Sequence, residues 1–333
     1  LLPSSPVPAA NRAKLTKVMR QAEGSDILTL ATYIRTAKAR AIPDKSSETV
    51  RVYSKQTDFD AAFSAALRED AEGTVAVAAT NATRISYNRF ARNVLFSRET
   101  AAKERLLPKE QIASVANSAT LVNGDSATVL DPGRKTHEFQ VTFKTGMGPD
   151  ARKSSATIVR MTGVRLSGVE APVTLYFSPD LAAASMPHQQ LVQSFSPTVR
   201  DILESLGDVR VNEKTGRKYL SSSIVVATYG YAVTAHKSQG GEWKTVFVDQ
   251  DIPGRAWDPA RWLYTAVTRA SQTLHVRDRG QQKLSLDDMR KRIDGEVSEE
   301  LPEEQRKKIE DQMPAENVRE EAPAISAEQQ RIL

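Results

Sequence analysis

The sequence predicts an α/β fold: a parallel sheet with helices on both faces, interrupted by a small β-barrel insertion. Three observations predict it. Gly73-Thr-Val-Ala-Val-Ala-Ala-Thr80 is a continuous apolar run with β-branched members, as in a strand buried on both faces. An amphipathic helix over Ala82–Phe96 follows it, and strand, turn, helix is the grammar of a parallel sheet. The same alternation returns late in the chain. Between about Ser114 and Phe177, by contrast, helical periodicity disappears and short strands take over.

Taken in order, Leu15–Ala39 reads as helix, with Leu15, Val18, Met19, Ile27, Leu28, Leu30, Ala31 and Ile34 near the 3.6-residue period. Gly24-Ser-Asp26 interrupts it, and Ser25 or Asp26 suits the N-cap of a second helix. A strand over Thr49–Tyr53 and a helix over Asp58–Asp70 precede the run at Gly73. The middle segment reads as strands Ala119–Val122, Ala127–Leu130, Glu138–Phe143, Thr157–Leu166 and Val173–Phe177. Asn123-Gly-Asp125 supplies a tight turn between the first two. A strand meander capping the domain stays open beside the barrel. Helix returns over Gln189–Leu206, broken at Pro197. Then come strand Ser223–Thr228, a helix from about Val233, strand Thr245–Asp249, helix Pro259–Ala270 and strand Thr273–Val276. The predicted partition is 1–112 and 181–286 for the α/β domain, 113–180 for the barrel, and 287–333 for a charged, disordered tail without aromatics.

At 333 residues and 40% hydrophobic, the chain can bury a sizeable core. It has no cysteine, which removes disulfides and thiolate metal sites and fits a reducing cytoplasm. No apolar run approaches the ~18–20 residues of a membrane span, so no membrane partner is expected. The net charge of +5 is unevenly spread. From Glu296 onward eleven acids face five bases, giving −6 and leaving +11 for Leu1–Gly295. A basic body favours a polyanion such as DNA or RNA, with a generic basic surface as the alternative. Carboxylate-rich metal clusters are absent and the four histidines (137, 188, 236, 275) are scattered. A metal-dependent nuclease is therefore disfavoured, and no metal-ligating set is expected.

The most specific residues lie in Tyr231-Ala-Val-Thr-Ala-His-Lys-Ser-Gln-Gly-Gly-Glu-Trp243 and Trp262-Leu-Tyr-Thr-Ala-Val-Thr-Arg-Ala270. Gly240-Gly241 allows backbone conformations closed to other residues. Thr234 and Lys237 can meet phosphate oxygens, His236 can donate to one, and Glu242 can accept from a ribose hydroxyl. Arg269 closes an otherwise apolar helix. Thr80 and Asn81 sit at the carboxyl end of a predicted parallel strand, where such sheets bind ligands. The next helix N-terminus offers free N–H groups to a phosphate, and Arg84 and Arg89 add charge. Asn81 as a plain helix cap explains the same residue equally well.

These two blocks resemble the fifth and sixth motifs of superfamily 1 helicases, especially the RecD-like and Dda-like branch. Leu15-Thr-Lys-Val-Met-Arg-Gln21 is similar to the fourth motif, with Met19 where some relatives carry an aromatic. Leu121-Val-Asn-Gly-Asp125 resembles part of the family's β-rich insertion. The resemblance implies a second RecA-like domain with an SH3-like barrel inserted. It assigns γ-phosphate contacts to Arg20 and Arg269, and nucleotide contacts to Gln21, Gln239, Gly240 and Glu242. Single-stranded DNA falls to Thr80, Asn81, Arg84, Thr234, His236 and Lys237.

No Gly-x-x-x-x-Gly-Lys-Ser/Thr phosphate loop occurs in the 333 residues, nor does the family's acidic Mg²⁺-holding motif. ATP and Mg²⁺ are then expected to be held mainly by a first RecA-like domain preceding Leu1 in a longer protein. The expected function is the carboxyl-terminal half of an ATP-dependent DNA helicase moving 5′ to 3′, in replication, repair or recombination, and inactive alone. Two alternatives stay open: a non-catalytic nucleic-acid-binding module, and an adaptor whose acidic tail recruits a protein partner.

Overall fold

The computed structural model describes residues 25–145, 152–180, 188–252 and 258–299. Its elements run α1 (Asp26–Thr36), β1 (Ala41–Pro43), β2 (Val50–Tyr53), α2 (Gln56–Glu69), β3 (Thr74–Ala78), α3 (Asn81–Leu95) and α4 (Arg98–Lys103). The barrel strands follow: β4 (Gln111–Ser114), β5 (Ser126–Asp131), β6 (Arg134–Thr145), β7 (Arg152–Leu166) and β8 (Val173–Phe177). Next are α5 (His188–Ser194), α6 (Pro197–Ser205), β9 (Val209–Val211), β10 (Lys218–Leu220), β11 (Ile224–Tyr229) and β12 (Ala232–Thr234). The chain closes with β13 (Trp243–Asp249), α7 (Pro259–Val267), β14 (Ala270–Arg277), β15 (Gln282–Leu284) and α8 (Leu286–Glu299).

Five strands form one parallel sheet in the order β12-β3-β13-β14-β2. Strand alternation explains why both faces need helices. Phe247 and His275 point to one face, where Phe59 and Phe63 of α2 and Tyr87 of α3 pack as an aromatic cluster around Phe247. Val246, Val248, Leu274 and Val276 point the other way and are equally buried, on the side of α1 and α7. Ser25 caps α1, its hydroxyl accepting from the Leu28 amide at 3.2 Å.

A second sheet closes on itself. Strands β5-β4-β11-β8-β7 run round a ring completed by β5–β7 pairing, Val129 opposite Leu166, while β6 extends from β7 as a long hairpin. Val129, Val159, Val164, Leu175, Val225 and Tyr229 fill it. The α/β fold with a barrel insertion is therefore present.

Several expectations are corrected. Ile224–Tyr229 does not join the parallel sheet; it pairs with β4 and β8 inside the barrel. The barrel thus draws on residues well beyond 113–180, because a buried apolar strand looks the same in either sheet. No helix begins at Val233. That residue pairs with Val77 in β12, and tight turns follow, the Thr234 carbonyl accepting from the Lys237 and Ser238 amides. Ala119–Val122 is loop rather than strand. The Ser118 hydroxyl accepts from the Thr120 and Leu121 amides, drawing the backbone away from a ladder. Helix α7 stops at Val267 and Ala270 already belongs to β14. The tail does not begin at 287. Helix α8 runs to Glu299 and buries Met289. The compact unit Leu1–Arg290 is followed by a second, Lys291–Leu333, whose described residues are the end of α8. The first half of the predicted helix Leu15–Ala39, with Arg20 and Gln21, lies outside the described residues.

Candidate functional site

The loop after β12 is built from its carbonyls outward. Edge strand β12 is held on its free side by Asn88 of α3. Asn88 Nδ2 donates to the Ala232 carbonyl at 3.0 Å and Oδ1 accepts from its amide at 2.9 Å. Thr234 is buried, and Ser238, fully buried, donates its hydroxyl to the Ala235 carbonyl. Gly240 has φ +94°, a left-handed conformation that favours glycine. The indole of Trp243 lies against Gly241 so closely that a Cβ there would clash with it.

Arg269 closes this loop from beneath. Arg269 is 7% exposed, and its guanidinium donates to the carbonyls of Thr265 (3.1 Å), Ser238 (3.3 Å) and Gly241 (3.1 Å), and to Thr268 Oγ1 (3.1 Å). Its own carbonyl accepts from the Trp243 amide. One side chain therefore fastens the end of α7 to both ends of the Ser238–Gly241 turn.

Two clefts flank the loop. The first is lined by Asn81, Arg84, Ser114, Val115, Gly124, Thr228, Thr234 and Lys237. It brings together four of the six residues assigned to DNA, from segments about 150 positions apart. Arg84 is 4% exposed and donates to Asn81 Oδ1 and Thr228 Oγ1. Burial pushes its pKa down to about 10, with Asp180 working the other way. Lys237 is pushed down to about 8, first by burial and then by Arg84. Two cations lining one cleft disfavour each other's charge, and an anion between them would relieve both. Thr80, rather than Asn81, is the N-cap of α3, its hydroxyl accepting from the Thr83 amide and donating to Asp251 at 2.7 Å. His236 is exposed at the rim of the loop.

The second cleft is lined by Val122–Ser126 on one wall and Gln239–Trp243 on the other. Gln239, Gly240 and Glu242, three of the four residues assigned to nucleotide, share that wall and are exposed. The polar side chains of Gln239 and Glu242 suit a sugar hydroxyl or base edge approached from one side. Among the described residues no group of three or more His, Asp or Glu could hold a metal ion. No described helix is long and apolar enough to cross a membrane.

Other residues matter that the sequence reading missed. Asp251 fixes Thr80 and the Ala79 amide at the carboxyl edge of the parallel sheet. Asp249, at the end of β13, takes a two-pronged contact from Arg279 (2.7 and 2.8 Å) and the Tyr87 hydroxyl. Acids placed just where a parallel strand ends are the signal that could have found both. Arg92 pairs with buried Glu110, donates to the Ala101 and Glu104 carbonyls, and lies over the Tyr229 ring, joining α3 to the barrel. Arg160 of β7 is buried against Asp208. Arg89 is exposed and paired with Asp180.

Residues 229–276 match the family of UvrD-like helicase C-terminal domains. Among solved structures, a Pif1 helicase described in DNA unwinding at forked dsDNA is 12% identical, covering 85% of this chain and 53% of that chain, with TM-score 0.38. A Pif1 helicase from Bacteroides, in complex with ADP-AlF3 and ssDNA, is 13% identical over 86% and 57%, with TM-score 0.35. One from Candida albicans is 15% identical over 83% and 60%, with TM-score 0.29. The chain spans a little over half the length of these helicases. No curated protein matches it. The two most specific motifs thus both lie within the segment that is similar to UvrD-like helicase C-terminal domains.

Proposed function

We propose that this chain grips single-stranded DNA as the carboxyl-terminal half of an ATP-dependent helicase travelling 5′ to 3′. The observation that carries this reading is the convergence of Asn81, Arg84, Thr234 and Lys237 on one positively charged cleft at the N-terminus of α3. A phosphate of the strand would meet the helix amides, the Thr234 hydroxyl and the Arg84 guanidinium, with the Lys237 charge close by and His236 at the rim as a further donor. Gln239, Gly240 and Glu242 would touch ATP from one side. The phosphate loop and Mg²⁺ site that supply the hydrolytic chemistry belong to another polypeptide segment.

Arg269 gives this reading its mechanics. A guanidinium that reaches a phosphate must exchange the Ser238 and Gly241 carbonyls for phosphate oxygens. Doing so frees the turn that follows Thr234 and His236, so the grip on DNA would change with nucleotide occupancy. Arg20 would join Arg269 at the same γ-phosphate, both acting across a cleft from the phosphate loop.

The test is fluorescence anisotropy with a labelled oligothymidylate. Thr234→Val combined with His236→Ala should weaken binding by about tenfold or more, as loss of one or two good contacts does, without moving the unfolding midpoint. Unchanged affinity would refute the assignment. The 333-residue chain alone should show no Mg²⁺-dependent ATP hydrolysis; measurable turnover would contradict the divided-site reading.

A further inference from the structure

The turn Val122–Asp125 is more ordered than a loop tip needs to be. The Val122 amide donates to Asp125 Oδ2 at 2.9 Å, and the Asn123 amide to Asn117 Oδ1 at 2.8 Å. The Gly124 amide donates to the Ser114 carbonyl at 2.9 Å, and the Ser114 amide to the Asp125 carbonyl at 2.8 Å. This rigid turn faces the loop after β12. Lys237 Nζ donates to the Val115 carbonyl at 3.0 Å and to Asn123 Oδ1. Gly124, at φ +101°, lies so close that a Cβ on it would stand 2.6 Å from the Lys237 carbonyl oxygen. A side chain and the main chain of one lysine are thus both fixed by two consecutive residues of the barrel. Gly124 lines both clefts, so the contact stands at the wall between them.

We propose that Asn123 and Gly124 are positioning residues: they clamp Lys237 and thereby set where His236 and Gln239, its neighbours along the loop, are presented. The inference rests on the reading of that loop as the link between DNA and nucleotide. Lys237 in this view spends its ammonium on the barrel and adds charge to the first cleft without touching the strand directly. Any shift of the barrel against the parallel sheet is passed to the loop through this contact.

Hydrogen–deuterium exchange on the full chain tests it, with Asn123→Ala, Asn123→Asp and Gly124→Val. In Asn123→Ala the amides of residues 235–241 should exchange about tenfold faster, the scale of one lost charge-assisted hydrogen bond. Peptides from β3 and β13 should keep wild-type rates, and the unfolding midpoint should hold. Asn123→Asp keeps an acceptor at the same position and should restore protection; a merely structural asparagine would not be rescued this way. Gly124→Val should loosen the same peptide by steric conflict, and if it fails to fold the two Asn123 variants still decide. Unchanged exchange in 235–241 for Asn123→Ala overturns the clamp, as does failure of Asn123→Asp to rescue. Faster exchange with unaltered oligothymidylate affinity supports the clamp and refutes the DNA reading instead.

Discussion

Replacing Arg269 by alanine tests the part of the site whose energetics can be worked most fully. The substitution deletes the hydrogen bonds to Thr268 Oγ1 and to the carbonyls of Thr265, Ser238 and Gly241. The Ser238 carbonyl keeps a second donor, the Gly241 amide at 3.1 Å, whereas the Gly241 carbonyl loses the guanidinium contact outright. Hydrogen bonds to a charged group contribute roughly 1.5–3 kcal/mol each, but removing the buried charge returns part of its desolvation cost, so a net loss of about 3 kcal/mol is expected. Arg269→Lys supplies one point donor that cannot span Ser238 and Gly241 together, and should lose about half as much. Urea unfolding followed by circular dichroism measures both, provided the slope stays that of the wild type. Because the staple holds the loop bearing Thr234 and His236, oligothymidylate affinity should fall with stability. A loss under about 1 kcal/mol for Arg269→Ala, with affinity unchanged, would refute the reasoning and leave Arg269 free of the loop.

Three further outcomes follow from buried charges. Lys237 titrates near 8 instead of its ordinary 10.5. Between those values the unfolded chain holds more protons, so this group's cost to the fold is relieved as pH rises through the window. The cleft loses the charge at the same time, and oligothymidylate affinity should drop several-fold from pH 7 to 9 at constant salt; a flat profile contradicts this. His275 is held down to about 4 by burial, stacked on Phe247 and bonded to the Tyr53 hydroxyl at 2.9 Å. Its folded pKa is below the ordinary 6.5, so protons taken up by the unfolded chain destabilise the protein as pH falls from 6.5 toward 4. The loss should reach about 1–2 kcal/mol at pH 5, and His275→Phe should remove it from the urea midpoint. Glu110→Gln leaves buried Arg92 without its carboxylate and should cost about 3 kcal/mol in the same assay; a neutral result would mean that the carbonyls of Ala101 and Glu104 suffice.

What could be read from residues alone follows from how local each signal is. The run at Gly73, the helix after Asn81 and the strands Val173–Phe177 and Thr245–Asp249 declare themselves by periodicity, and all form as expected. Ile224–Tyr229 carries the same buried-strand pattern, yet its partners β4 and β8 lie in the barrel. Which sheet a fully apolar strand joins is a long-range matter that composition does not record. The segment from β12 onward carried motif residues in the sequence but no sign of its shape. Ala232-Val-Thr234 pairs beside β3 at the sheet edge, and Asn88 satisfies the far side of the strand. Lys237 shows the same limit: a lysine in a phosphate-like string reads as a ligand, and only the fold reveals that Asn123 and Val115 hold it.

Photo-crosslinking of an oligonucleotide carrying 5-iodouracil, followed by peptide mass spectrometry, tests the central claim most directly. The strand is expected to crosslink within residues 80–89 and 232–242, on the cleft shared by Arg84, Thr234 and Lys237. Crosslinks confined to other surfaces, with those two segments unlabelled, would contradict it.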